Sequence, residues 1–144
     1  MKPLMDWLFN TRSADKTGDW GLLALRLLFG LPLSIRHGWP TLIDWWRGKI
    51  SYPDPLGLGE NLTMLVMGSV EAICPVFVIM GLFTRVVAFF VAFGFVVAVL
   101  IAHASDPFGV RELAYMYMSG FLAVFLLGPG KFSADNYLSK SSGR

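Results

Sequence analysis

Gly81-Leu82-Phe83-Thr84-Arg85, followed by Val86-Val87-Ala88-Phe89-Phe90-Val91-Ala92-Phe93-Gly94-Phe95-Val96-Val97-Ala98-Val99-Leu100-Ile101-Ala102 and closed by His103, is the passage that decides the fold. A run of Val, Phe and Ala of this length, with no charge between Arg85 and His103, has the dimensions of a membrane-spanning helix. The turn before it is too short for a crossover, so the apolar stretch on its other side, Glu60–Phe83, must run antiparallel. Trp20–Arg36 and Glu112–Leu127 bring the number of spanning stretches to four. The chain therefore reads as all-α: an integral membrane protein folded as an antiparallel four-helix bundle.

Composition agrees with this reading. The 144 residues are 55% hydrophobic and only 15% charged, and the mean hydropathy of +0.58 lies outside the usual soluble range. A net charge of +2, carried by scattered basic residues, excludes a nucleic-acid surface. The single cysteine, Cys74, excludes an internal disulfide and a Cys-x-x-Cys centre, so a bound molecule must carry the electrons of any redox reaction.

The organisation follows from the apolar stretches. Residues 1–19 form a cytoplasmic or interfacial N-terminal segment, in which Pro3–Phe9 mixes aromatic and aliphatic residues suited to anchoring. Residues 20–138 form the four-helix domain, and 139–144 a tail. Residues 39–59 carry Trp39, Trp45, Trp46 and Tyr52, types that settle at membrane interfaces, and this long connection reads as an extracytoplasmic loop capping a cavity. Lys2, Arg12, Lys16, Arg85, Lys131, Lys140 and Arg144 fall on the side of the termini, against Arg36, Arg47, Lys49 and Arg111 on the other. That bias predicts cytoplasmic termini.

Two constellations carry the polar chemistry. Arg26 lies 11 residues before His37 at the expected outer end of the first helix, and Glu71 lies 11 after Glu60 at the outer start of the second. Both are then about 16 Å deep, where an Arg–carboxylate fork would form a buried polar pair. Pro75 leaves the carbonyl of Glu71 without its helical donor, which adds to the polarity there. The pair either fixes helix register or serves a ligand or proton. Nearer the outer surface, His37, His103 and Glu112 approach from three helices, with Asp106 and Arg111 in the adjoining turn. This set reads as a ligand-binding or proton-relay site for a small polar head group such as a quinone ring. Ordinary interfacial hydrogen bonding is the competing reading. Metal or haem ligation is weaker, because the ligand spacing is loose, and no metal site is assigned. The methionines read as packing, and Cys74 as buried and inert.

Taken together, Arg26 with His37-Gly38, Glu71, Gly81-Leu82-Phe83-Thr84-Arg85, His103, Glu112 and the closing Gly128-Pro129-Gly130-Lys131-Phe132-Ser133-Ala134-Asp135 resemble the DoxX family of small four-helix bacterial membrane proteins. The resemblance covers roughly residues 20 to 138. It implies a bundle in the bacterial cytoplasmic (inner) membrane. The broader family includes a subunit of thiosulfate:quinone oxidoreductase and partners in membrane oxidoreductase assemblies. The function expected on this basis is a redox-associated subunit that binds a quinone or similar lipid-soluble molecule and works with a partner oxidoreductase. A non-catalytic scaffold or assembly factor, and a small transport subunit acting as a homo-oligomer, are the alternatives.

Overall fold

The computed structural model describes residues 16–142, and every regular element among them is helical. The anchoring segment expected at Pro3–Phe9 lies outside the described residues. Four helical runs are long and apolar enough to cross a membrane: Lys16–Trp46, Glu60–Met80, Thr84–Ala102 and Phe108–Leu127, here the first to fourth spans. Each packs on the next and the fourth returns to the first, which closes an antiparallel four-helix bundle. One end, the terminal end, carries Lys16, the turn at Gly81 and the final helix Ala134–Ser142. The other, the loop end, carries residues 47–59 and 103–107.

The core is built from Leu33, Val78, Ala88, Val91, Phe121 and Val124, all fully enclosed. Large apolar side chains also point outward, among them Phe89, Phe90, Phe93, Leu100, Leu122 and Leu126. An apolar exterior around an equally apolar interior is what lipid as solvent requires, and association then depends on close packing. Gly38 provides the tightest contact: a Cβ placed there would meet the Ala72 nitrogen at 2.1 Å and the Glu71 carbonyl carbon at 2.2 Å. Gly120 makes similar room for the ring of Phe29 in the fourth span's contact with the first.

The first span differs from the sequence expectation, because the loop assigned to 39–59 begins later. Regular α-helix runs Lys16–Leu33, a π-helical segment occupies Ser34–Gly38, and α-helix resumes over Trp39–Trp46. The wider turn lets the Trp39 N–H reach back to the Ser34 carbonyl. Pro40, which has no donor to contribute, then falls in the first turn of the renewed helix, where it is tolerated. His37-Gly38 and Pro40 look like stop signals in sequence, yet the chain passes through them without leaving the helix. The Ser34 hydroxyl donates to the Ala72 carbonyl at 2.8 Å and ties the π segment to the second span. A second π segment, Ala98–Ala102, ends the third span, with the His103 N–H bonded to the Ala98 carbonyl at 2.9 Å.

At the terminal end, the second span stops at Gly81, with φ +71°, and the third begins after Phe83, a non-glycine residue at φ +48°. The left-handed backbone at Phe83 costs roughly 1–2 kcal/mol. Asp135 offsets it by accepting from the Phe83 N–H at 2.8 Å, the Thr84 N–H at 3.0 Å and the Thr84 hydroxyl at 2.8 Å. The segment 128–135 is thus strapped across the end of the bundle. Asp19 holds it as well, accepting from the Lys131 N–H at 3.0 Å.

Candidate ligand cavity

Arg26 belongs to that strap and not to a pair with Glu71. Its guanidinium, fully buried, donates to the carbonyls of Phe132 and Ile79, and Asp135 supplies the neighbouring negative charge. The depth argument fails because the first span does not end at His37 but runs on to Trp46. Gly38 lies against Glu71, so Arg26, 12 residues earlier, is about 18 Å further toward the terminal end. Arg85 lies beside the strap, donating to the Phe125 and Leu127 carbonyls at the end of the fourth span.

Glu71 instead joins the histidines. A cavity of about 170 Å³ opens between the spans toward the loop end, lined by His37, Glu71, His103 and Tyr117, with Tyr52 reaching in from the loop. His37 and Ala98 arrive on the two π segments, and His103 directly follows the second. Such bulges re-aim side chains that regular helix would point elsewhere. The rings of His37 and Tyr117 meet edge to face at 5.7 Å, and Phe95 stacks on Tyr117 at 5.3 Å. Among the described residues the Glu71 carboxylate, 8% exposed, makes no hydrogen bond or ion pair within the chain. A buried carboxylate of this kind in a membrane protein is a candidate functional position.

His103 has its orientation fixed from outside. Its Nδ1 lies 2.7 Å from Oδ2 of Asp106, whose side chain is 43% exposed. With Nδ1–H donated to the carboxylate, Nε2 is the nitrogen left for the cavity. Glu112, expected beside the histidines, is exposed and absent from the lining. The reason is helical phase: Val110, Leu113, Ala114 and Tyr117 face the cavity, and Glu112 lies on the roughly opposite side of the same helix. Arg111 turns back to the Ala104 carbonyl at 3.3 Å. No group of three or more His, Cys, Asp or Glu among the described residues is placed to hold a metal ion.

Residues 47–59 roof the site and are held in one shape. Asp54 accepts from the Leu58 N–H at 3.0 Å, the Gly59 N–H at 2.7 Å and the Thr63 hydroxyl at 2.8 Å. The Thr63 hydroxyl first, then these backbone donors, hold the Asp54 carboxyl below its ordinary range against a smaller opposing effect of desolvation. Trp45 donates from Nε1 to Asn61 at 2.6 Å, fastening the far end of the first span to the start of the second. Tyr52, which sequence reasoning treated only as an interfacial aromatic, hangs from this roof into the cavity. Burial, and then the charge of Glu71, push its phenol well above the ordinary tyrosine range. Its position in a Pro-rich segment next to Asp54 gave no sequence signal for that role.

A second cavity, about 300 Å³ and almost wholly apolar, adjoins the first and shares Tyr52, Met67, Ala98 and His103 with it. It runs beneath Pro53–Leu58 between the second and third spans.

Comparison with known proteins agrees with the architecture. The family model described as DoxX matches residues 21–104. The chain is similar to the inner membrane protein YqjF of Escherichia coli (strain K12), at 29% identity over 130 residues that cover 87% of this chain and 97% of the relative. No solved structure matches.

Proposed function

Since the chain belongs to the DoxX family, we propose that it is an inner-membrane subunit that binds a quinone or similar carbonyl-bearing, lipid-soluble molecule and passes it to or from a partner oxidoreductase. The observation that carries the reading is the cavity itself. Imidazole, phenol and carboxylate groups from the first, second and fourth spans, from His103 just past the third, and from the roof converge on one cavity. Polar groups cost free energy at that depth, so their presence there points to a task.

The chemistry matches these groups. A quinone presents carbonyl oxygens that need donors, and on reduction it takes up electrons and protons in equal number. His37 and His103 supply ring N–H or N acceptors, and Tyr52 and Tyr117 supply hydroxyls. Glu71 can hold or give a proton, with His103 and Asp106 leading from the cavity toward the exposed loop end. With Cys74 as its one cysteine, this chain contributes binding and proton handling, and the partner contributes the electrons. The relative's name supports an inner-membrane location, and the Lys/Arg bias supports cytoplasmic termini, with the cavity toward the opposite leaflet.

The test is extraction and mass spectrometry of the protein purified in native-lipid particles, beside Glu71→Gln and His103→Ala variants. Quinone enriched over bulk lipid in the parent and lost in the variants is the expected result. Bulk lipid alone in all three would reject the proposal and favour a scaffold.

A further inference from the structure

The polar cavity alone does not use the space beside it. The larger cavity offers almost no polar surface: its walls are Leu56 and Leu58 of the roof, Val66 and Met67 of the second span, and Gly94 and Val97 of the third. Gly94 leaves room there, where a Cβ would meet the Met67 side chain, its methyl at 3.0 Å and its sulfur at 3.7 Å. Val66 is 46% exposed and Leu58 54%, so the cavity opens sideways, on the face of the bundle that lipid covers. It adjoins the polar cavity, and Tyr52, Met67, Ala98 and His103 line both.

We infer that this apolar groove holds the hydrocarbon tail of the molecule whose polar head sits against Glu71 and the histidines, and that the molecule slides in from the bilayer between the second and third spans. The occupant is thereby an amphiphile with a compact ring and at least one long apolar chain, not a water-soluble quinone or a free anion. The polar head cavity and the apolar groove meet at Tyr52, which marks the junction of ring and chain. A tail buried in the groove gains the transfer free energy that water-soluble analogues lack. The combined size suits an ordinary small-molecule site. This inference rests on the head-group reading above, and the experiment separates the two.

Binding is measured in nanodiscs with dimethoxy-methyl-benzoquinone bearing no tail and with the same ring bearing a decyl chain. Wild type is compared with Val66→Trp and Leu58→Trp, which fill the groove from its second-span wall and its roof. The expected result is that each variant weakens the decyl compound by about tenfold or more and leaves the tail-less ring unchanged. Unchanged binding of the bare ring also shows that the variants are folded. If the bare ring binds wild type but neither Trp substitution selectively weakens the decyl compound, the tail groove is wrong and the head site stands. If Glu71→Gln leaves both compounds bound as in wild type, or neither binds wild type, the head-group reading fails and the groove assignment falls with it.

Discussion

Gly38→Ala puts the packing argument at risk with one methyl group. The new Cβ would sit 2.1 Å from the Ala72 nitrogen and 2.2 Å from the Glu71 carbonyl carbon, both backbone atoms of the facing helix. Ordinary contact needs about 3.5 Å or more, so the first two spans must separate by more than about 1 Å at their crossing. Overpacking against side chains costs about 1–3 kcal/mol, and backbone that cannot rotate aside places this site at or above the upper end. Alanine's better helix propensity contributes about 1 kcal/mol in the opposite direction. The net expectation is a loss of about 2 kcal/mol or more, together with weaker binding in the cavity that His37 lines. Gly21→Ala is the control, because it lies in the same span with nothing within 4 Å of its Cβ. Reversible unfolding in mixed micelles should place Gly38→Ala well below wild type and Gly21→Ala level with it or above. Equal stability of the two alanine variants would refute the proposed helix crossing.

Three further outcomes follow from other parts of the molecule. Asp135→Ala removes three acceptor contacts at the start of the third span and the anion beside Arg26; it should cost about 3 kcal/mol or more in the same unfolding assay. Asp54, whose carboxyl is held below its ordinary value of 3.8, stabilises the roof fully above that value, and this contribution disappears as pH falls through its lowered pKa. Protease cleavage within residues 47–59 should therefore rise only in strong acid, whereas Asp54→Ala should raise it already at neutral pH. Glu71→Gln removes the second cause of Tyr52's elevated pKa but not the first, burial. Ultraviolet titration of the wild type and this variant, each against its own Tyr52→Phe control, should show Tyr52 titrating lower than in the parent yet still above an ordinary tyrosine.

The bundle was legible because hydropathy and short turns constrain membrane helices so tightly. The second and third spans needed only the run from Gly81 to His103, and their observed bounds, Glu60–Met80 and Thr84–Ala102, differ little from the expectation. The first span was truncated in sequence because Gly and Pro signal an end only where the helix is regular, and a π turn makes them compatible with continuation. That one misplaced end shifted Arg26 by several turns and paired it with the wrong carboxylate. His37, Glu71 and His103 were each identifiable as polar groups in apolar surroundings, whereas their meeting depended on a helix crossing at Gly38 that no spacing rule encodes. Glu112 was placed by depth without regard to phase. Tyr52 stayed hidden because a loop residue's direction is set by tertiary hydrogen bonds, here those of Asp54.

The strap at the terminal end has a consequence for the order in which the protein can be made. Arg26 enters the membrane with the first span to be synthesised, but of the groups that accommodate its charge only the Ile79 carbonyl comes with the next span; the Phe132 carbonyl and the Asp135 carboxylate follow more than a hundred residues after Arg26. The charge of the earliest helix is therefore only partly accommodated until the segment carrying Phe132 and Asp135 folds back over it. Chains that stop short of Phe132 would expose that charge, giving membrane quality control a local mark of incompleteness to read.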